Sequence, residues 1–81
     1  MKATEYYRNI VEKRRPYLND EYCERVMQSP EWSRPDPRPG RTRLWGYVEE
    51  LQHYLRVVVE PDGETVHNAF IDGEAERWLT R

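Results

Sequence analysis

The spacing of apolar positions changes character at Gly40. Upstream of it they recur at helical spacing. Tyr6 and Ile10 lie four apart with Lys13 extending their row, and Tyr7 and Val11 lie beside them, which predicts a short helix over residues 4–15. Lys13, Arg14 and Arg15 place positive charge at its C-terminal end, where the helix dipole favours it. Pro16 closes the helix because proline lacks an N–H and restricts the residue before it. A strand over 6–11 is the alternative at this length. A second helix is predicted from Asn19 or Asp20, either of which can act as N-cap, to Ser29-Pro30. In it Tyr22 with Val26, and Cys23 with Met27, form adjacent rows of one apolar stripe.

Residues 31–42 carry Pro35, Pro37 and Pro39 on alternate positions. That density of proline opposes both a helix and a central strand, and the expectation is an exposed, extended loop of polyproline type. Beyond it the period becomes two. Strands are predicted over 43–48, 53–60 and 65–71, joined by a turn at 49–52 and a tight turn at Asp62-Gly63. Consecutive strands with short links favour an antiparallel meander. The tail, 73–81, includes a single helical turn that docks Trp78. The chain thus reads as one α+β domain, 1–81, with one or two N-terminal helices packed on a three- to four-stranded antiparallel sheet. Its parts are a helical segment 1–30, a Pro/Arg-rich loop 31–42, a sheet 43–72 and the tail.

Alternation also sorts the chemistry. Leu44, Gly46, Val48, Leu55, Val57 and Val59 share the face expected to meet the helices, which leaves Arg43, Trp45, Tyr47, Tyr54 and Arg56 on the other. Two guanidinium groups among three rings suit phosphates and stacked bases. The third strand can turn either way. Burying Val66 and Phe70 puts His67 on the arginine face, and that is the expectation, since two large apolar side chains outweigh Ala69. The reverse buries His67 and exposes Asn68.

RNA cleavage without metal needs a base for the ribose 2′-OH, cations for the phosphorane and an acid for the leaving oxygen. The catalytic candidates are His67, whose ordinary pKa lies near ~6.5, with Arg43 and Arg56 on the phosphate. Glu64 or Tyr54 is the alternative base. Trp45, Tyr47 and Tyr54 are the candidate RNA contacts on the sheet. The same residues also fit ordinary cross-strand packing on an exposed face. Lys13, Arg14 and Arg15 either compensate the helix dipole or grip RNA. Arg34, Arg38 and Arg41 form either a solvated loop or a phosphate-binding arm. Cys23, on the apolar stripe, reads as a small core residue, and His53 falls at a turn.

Composition narrows the picture. With 81 residues, 37% of them hydrophobic and 35% charged, the core is small, so a partner or self-association would add stability. No apolar run approaches the ~20 residues of a membrane helix, and no basic-then-apolar leader opens the chain. The lone cysteine fits a reducing cytosol, so a cytoplasmic location is expected. Cys23, His53, His67 and the carboxylates show no metal-ligand spacing, so no metal or cofactor is expected. A net charge of −2, from 13 basic and 15 acidic residues, excludes a globally basic nucleic-acid binder. Only two of the basic residues are lysine, and arginine offers the planar fork that suits phosphate.

Four strings carry a resemblance. They are Lys13-Arg14-Arg15-Pro16-Tyr17-Leu18, Arg43-Leu44-Trp45-Gly46-Tyr47-Val48, Tyr54-Leu55-Arg56-Val57-Val58 and Asp62-Gly63-Glu64-Thr65-Val66-His67-Asn68-Ala69-Phe70. Together they resemble a family of small, uncharacterised bacterial proteins. The order of elements resembles the RelE-like and BrnT-like toxin ribonucleases of the barnase–EndoU–colicin–RelE group. The likeness spans about residues 6–72. It implies a toxin-like, metal-independent endoribonuclease of a bacterial toxin–antitoxin system, with RNA and a small antitoxin protein as partners. By position it points to Arg43, Arg56 and His67 as functional and to Lys13, Arg14 and Arg15 as RNA-binding. Where basic and aromatic residues are expected after Asp72, this chain has Gly73-Glu74-Ala75-Glu76 before Arg77 and Trp78. Two other readings use the same face: a non-enzymatic module that binds nucleic acid or protein, and a homodimer interface.

Overall fold

The computed structural model describes residues 1–79. It has the expected α+β architecture, with the helices of the first 28 residues on one side of a four-stranded antiparallel sheet. Helix α1 begins as a π-helical turn, Tyr7–Val11, and continues as the α-helical turn Glu12–Arg14. The Thr4 hydroxyl accepts a hydrogen bond from the Tyr7 backbone N–H at 3.1 Å, which satisfies one of the donors a helix start leaves open. Tyr7 and Val11 are fully buried, whereas Tyr6 and Ile10 face outward. Helix α2, Asp20–Gln28, is capped by Asn19, whose side chain accepts from the Tyr22 N–H at 2.9 Å. Its stripe buries Cys23 and Val26.

The strands are β1 (Trp32–Pro35), β2 (Thr42–Val48), β3 (His53–Val59) and β4 (Val66–Ile71), in the spatial order β1-β2-β3-β4. The first is a correction: the proline-rich segment is not all loop. Trp32, Ser33, Arg34 and Pro35 pair with Trp45, Leu44, Arg43 and Thr42. Proline is tolerated there because β1 is the edge strand and Pro35 is its last residue. The opposite edge is closed by the N-terminal segment, which bridges Val66 through Ala3, and by the Tyr17 hydroxyl, which accepts from the Ile71 N–H at 3.1 Å.

The helix-covered face carries the main core of Tyr7, Val11, Cys23, Val26, Val48, Leu55, Val57, Val59, Val66 and Ala69. Gly46 allows α2 to approach, since a Cβ there would stand 3.1 Å from Val26 Cγ2. Between β3 and β4 the register shifts at Val58/Val59: Val58 pairs with Asn68 but Val59 with Val66. His67 is the residue left over. The bulge reverses the side-chain sense between Val66 and Asn68, so Val66 and Ala69 both enter the core. Phe70 pairs with Arg56 on the other face, contrary to the expectation that it is core.

That other face holds a second, smaller core. The short helix α3, Ala75–Trp78, folds back across it, and Trp45, Tyr54 and Ala75 are buried with Trp32, Tyr47 and Leu79 packed against them. Among the described residues no helix is long and apolar enough to cross a membrane.

Candidate nucleic-acid interface

Strand register lines up Trp32, Trp45, Arg56 and Phe70 as successive cross-strand neighbours, one from each strand. At one end Arg34, two residues on from Trp32, folds over the Trp32 ring at 4.5 Å. Trp32 and Trp45 have ring centroids 5.0 Å apart. The Arg56 guanidinium lies between the Trp45 ring at 5.3 Å and the Phe70 ring at 4.6 Å. Arg15, just past the end of α1, reaches over the β4 edge to Phe70 at 5.7 Å and donates to the Asn68 side chain at 3.4 Å. The result is a ladder of guanidinium groups and rings across the whole sheet. Each arginine is held over a ring face, where the quadrupole attracts it.

Two buried carboxylates orient the inner arginines. Asp72, immediately after β4, accepts from Trp45 Nε1 at 2.9 Å and from Arg56 Nε and Nη2 at 3.1 and 3.0 Å. Asp36, immediately after β1, accepts from Arg43 Nε at 2.9 Å and from the Arg38 backbone N–H at 3.0 Å. Burial alone would raise both carboxyls. The hydrogen bonds from Trp45 and Arg56, and from Arg38 and Arg43, outweigh it and hold both below the ordinary value. Sequence reading missed both aspartates, although each directly follows a strand on the side where the arginines emerge. Arg43 thus spends Nε, and Arg56 spends Nε and Nη2, leaving the remaining N–H groups of each fork for a ligand. Among the described residues Arg34 has no carboxylate within ion-pair distance.

These side chains border an open pocket of about 430 Å³. Trp32, Trp45 and Trp78 wall it, and Arg34, Arg43 and Arg56 line it with Glu74. Trp78 stands nearly perpendicular to Trp32 and Trp45, at centroid distances of 4.8 and 5.6 Å. The pocket therefore unites Arg43 and Arg56 as expected, and adds Trp32, Arg34, Trp78 and Glu74. It alters the part given to two aromatics. Trp45 and Tyr54 are 1% and 2% exposed, so neither offers a ring face to a base. Tyr47 meets Tyr54 edge to face and is partly exposed. Lys13 and Arg14 are exposed and do not line the pocket.

His67 does not line the pocket. It sits at the bulge, three residues along β4 from Phe70, about 10 Å at ~3.3 Å per residue. Its ring stacks on Tyr6, with centroids 5.0 Å apart. Its Nδ1 lies 3.4 Å from the Thr4 hydroxyl and 3.5 Å from Glu60 Oε1. Glu60 Oε1 also lies 2.8 Å from Arg41 Nε, but it is buried without a hydrogen bond of good geometry. Burial first, and then the nearby Arg41 charge, push the His67 pKa below 6.5, which favours the neutral imidazole. Sequence reading placed neither Glu60 nor Tyr6 beside His67, because nothing local announces the bulge. The alternative bases are elsewhere. Glu64 pairs with Lys2 on an exposed turn, and the Tyr54 hydroxyl donates to Glu31. His53 pairs with Glu76, and Cys23 lies in the core beside Tyr7 with its thiol pushed up to about 11 by burial. Among the described residues no three His, Cys, Asp or Glu side chains gather as a metal site would require.

Comparison of the chain with protein-family models, with curated proteins and with solved structures finds no match.

Proposed function

We propose that the protein binds single-stranded RNA along the guanidinium–ring ladder and cleaves it, as a toxin-like, metal-independent endoribonuclease restrained by a small protein partner. The observation that carries this reading is the ladder itself. Arg34, Arg56 and Arg15 present unspent N–H groups over ring faces and Arg43 lines the same pocket as the first two, and phosphates and bases ask for that combination. The chain's net charge of −2 makes the attraction local.

In this reading His67 is the base. Held neutral, with Nδ1 toward Glu60 and Thr4, it keeps Nε2 as the acceptor. The 2′-OH gives its proton to Nε2 and its oxygen bonds to phosphorus. The P–O5′ bond then breaks to leave a 2′,3′-cyclic phosphate, and the 5′-oxygen takes a proton from solvent. Arg41, the cation felt most strongly at His67, offsets the charge gathering on the phosphoryl oxygens, while the ladder arginines hold neighbouring phosphates of the same strand.

The test is incubation of labelled RNA with wild type, His67→Ala and Arg34→Ala in a chelator, alongside induced expression and growth. Cleavage and growth arrest by wild type, both abolished in His67→Ala, are expected. No cleavage of any RNA and no growth defect would sink the enzymatic reading. A second reading is favoured by the position of His67 outside the pocket: a binding module without catalysis. Salt-sensitive RNA binding that is unchanged in His67→Ala, with no cleavage by either protein, selects it.

A further inference from the structure

Helix α3 hides a large ring surface and is held by little. It is four residues long, and a helix that short forms only while it is docked. Ala75 is its one buried side chain, so a single methyl group enters the smaller core. Trp78 is 45% exposed and meets Trp32 and Trp45 through ring edges rather than faces. Glu76 adds an ion pair with His53 Nδ1 at 2.9 Å, in which both side chains are half exposed, and pairs of that kind hold weakly. Beneath this turn Trp45 and Tyr54 are almost wholly covered. Strand register places Trp45 beside Arg56 and Tyr47 beside Tyr54, so the covered rings continue the ladder face.

We propose that α3 is a removable cover, which closes the sheet face in the free protein and lifts to admit the ligand onto Trp45, Tyr47 and Tyr54. The inference rests on the reading that this face takes RNA, and it adds how access to the face is regulated. Asp72 stays with the sheet, since its Oδ2 accepts from Trp45 Nε1 and from Arg56. Gly73 comes next, with open space where a Cβ would stand, and it is the hinge. With α3 lifted, the Tyr47 and Tyr54 rings, 5.3 Å apart, and the Trp45 ring join Arg56 on one surface where bases stack. An open form of this kind is populated at about 0.1–10%. The apparent affinity is reduced by that fraction, so removing the cover tightens binding by about 10- to 1,000-fold.

Hydrogen exchange of the full chain tests the cover with no ligand present. The Trp45 indole N–H, buried under α3, is expected to exchange by local opening, at a rate that low urea leaves unchanged while the amides of β3 accelerate. Binding is then read by anisotropy with a labelled 2′-O-methyl oligoribonucleotide, which lacks the free 2′-OH that cleavage needs. Deleting residues 75–81 is expected to tighten it at least about 10-fold. Because Ala75 belongs to the smaller core, a deletion that fails to fold is answered by varying the charge at the His53–Glu76 pair. His53→Lys sets a fixed cation opposite Glu76 and is expected to slow Trp45 exchange and weaken binding by about 1.5- to 5-fold. His53→Glu sets like charges together and should do the opposite, and adding Glu76→Lys to it should restore both readings. Simple attraction of RNA to added positive charge predicts the reverse order. Trp45 exchange that tracks β3 overturns the proposal. So does binding that follows the added charge, or that is unchanged or weaker in a folded deletion. The parent reading fails separately. Local opening at Trp45 with no RNA affinity in any of these proteins leaves the cover standing and removes the RNA reading. RNA binding by wild type with Trp45 exchanging only in global unfolding does the reverse.

Discussion

The two faces of the sheet are built from the same four strands by different physics. On the helix-covered face, Leu55, Val57, Val59 and Val66 meet Tyr7, Val11 and Val26, and burial of apolar surface holds them. On the other face, the row Trp32, Trp45, Arg56, Phe70 is held by rings against guanidinium groups, and by Asp36 and Asp72, which neutralise Arg43 and Arg56 from outside the strands. The first face tolerates exchange among apolar residues of similar volume. The second depends on individual polar partners, because a charge taken out of water without one is costly. The contrast teaches where to look for function. On the second face, whatever charge the aspartates do not satisfy is left for a ligand.

The largest way to break the contrast is Asp72→Ala. It strands the Arg56 guanidinium and the Trp45 N–H beneath α3, and the expected loss is about 3–5 kcal/mol in urea unfolding. A loss below about 1 kcal/mol would mean that the pair is not what holds this face. Next is Leu55→Ala on the apolar face, expected to cost about 2–5 kcal/mol through the lost burial and the cavity left behind. Unlike ladder substitutions, it should leave the RNA affinity of the folded fraction unchanged, which a filter-binding titration below the unfolding transition checks.

The pH dependence sharpens the comparison further. The folded-state pKa of His67 is lowered by burial, so the unfolded chain takes up its proton first. The stability this contributes is present above the unfolded value near ~6.5 and is lost as pH falls through the lower folded value. Asp36 and Asp72, both held below 3.8, stay charged throughout that window. Urea midpoints at pH 7.5 and 5.5 should therefore differ more in wild type than in His67→Gln. An equal difference in both proteins assigns the slope to another group. Under the ribonuclease reading, the cleavage rate should rise to its plateau at a pH below that of free imidazole.

The smallest effect on stability is expected for Arg34→Ala, within about 0.5 kcal/mol, since the side chain is exposed and, among the described residues, has no carboxylate partner. Its effect should appear in binding, as a fall of about one in the slope of log affinity against log salt. A large stability change with an unaltered slope would show that Arg34 packs rather than binds.

Much of this architecture is legible in the order of the residues. The period change at Gly40 marks where the longer strands β2–β4 begin, although the edge strand β1 already precedes it. The cap at Asn19 and the turn at Asp62-Gly63 fall where the residue types demand them. Alternation in β2 and β3 separates Leu55 and Val57 from Arg43 and Arg56 because a strand's side chains point to opposite faces. Those are local rules, and local residues suffice to apply them. In β1, Trp32 and Arg34 follow the same alternation, but the prolines hide it, because an edge strand needs only half its hydrogen-bonding groups.

Three features are decided in space. The bulge at His67 follows from how β4 must fit β3 while Ala3 pairs at Val66, and it alone brings the histidine to Glu60, Thr4 and Tyr6. The return of α3 over the second face turns Trp45 and Tyr54 from open rings into core and brings Trp78 and Glu74 to the pocket. The pairing of Arg56 with Asp72 and of Arg43 with Asp36 joins residues 16 and 7 positions apart. The sequence by itself determined which side chains share a strand face, since that needs only the period of an extended chain. Which of those side chains are neutralised, covered or left open is set by contacts between distant segments, and only the folded chain decides them.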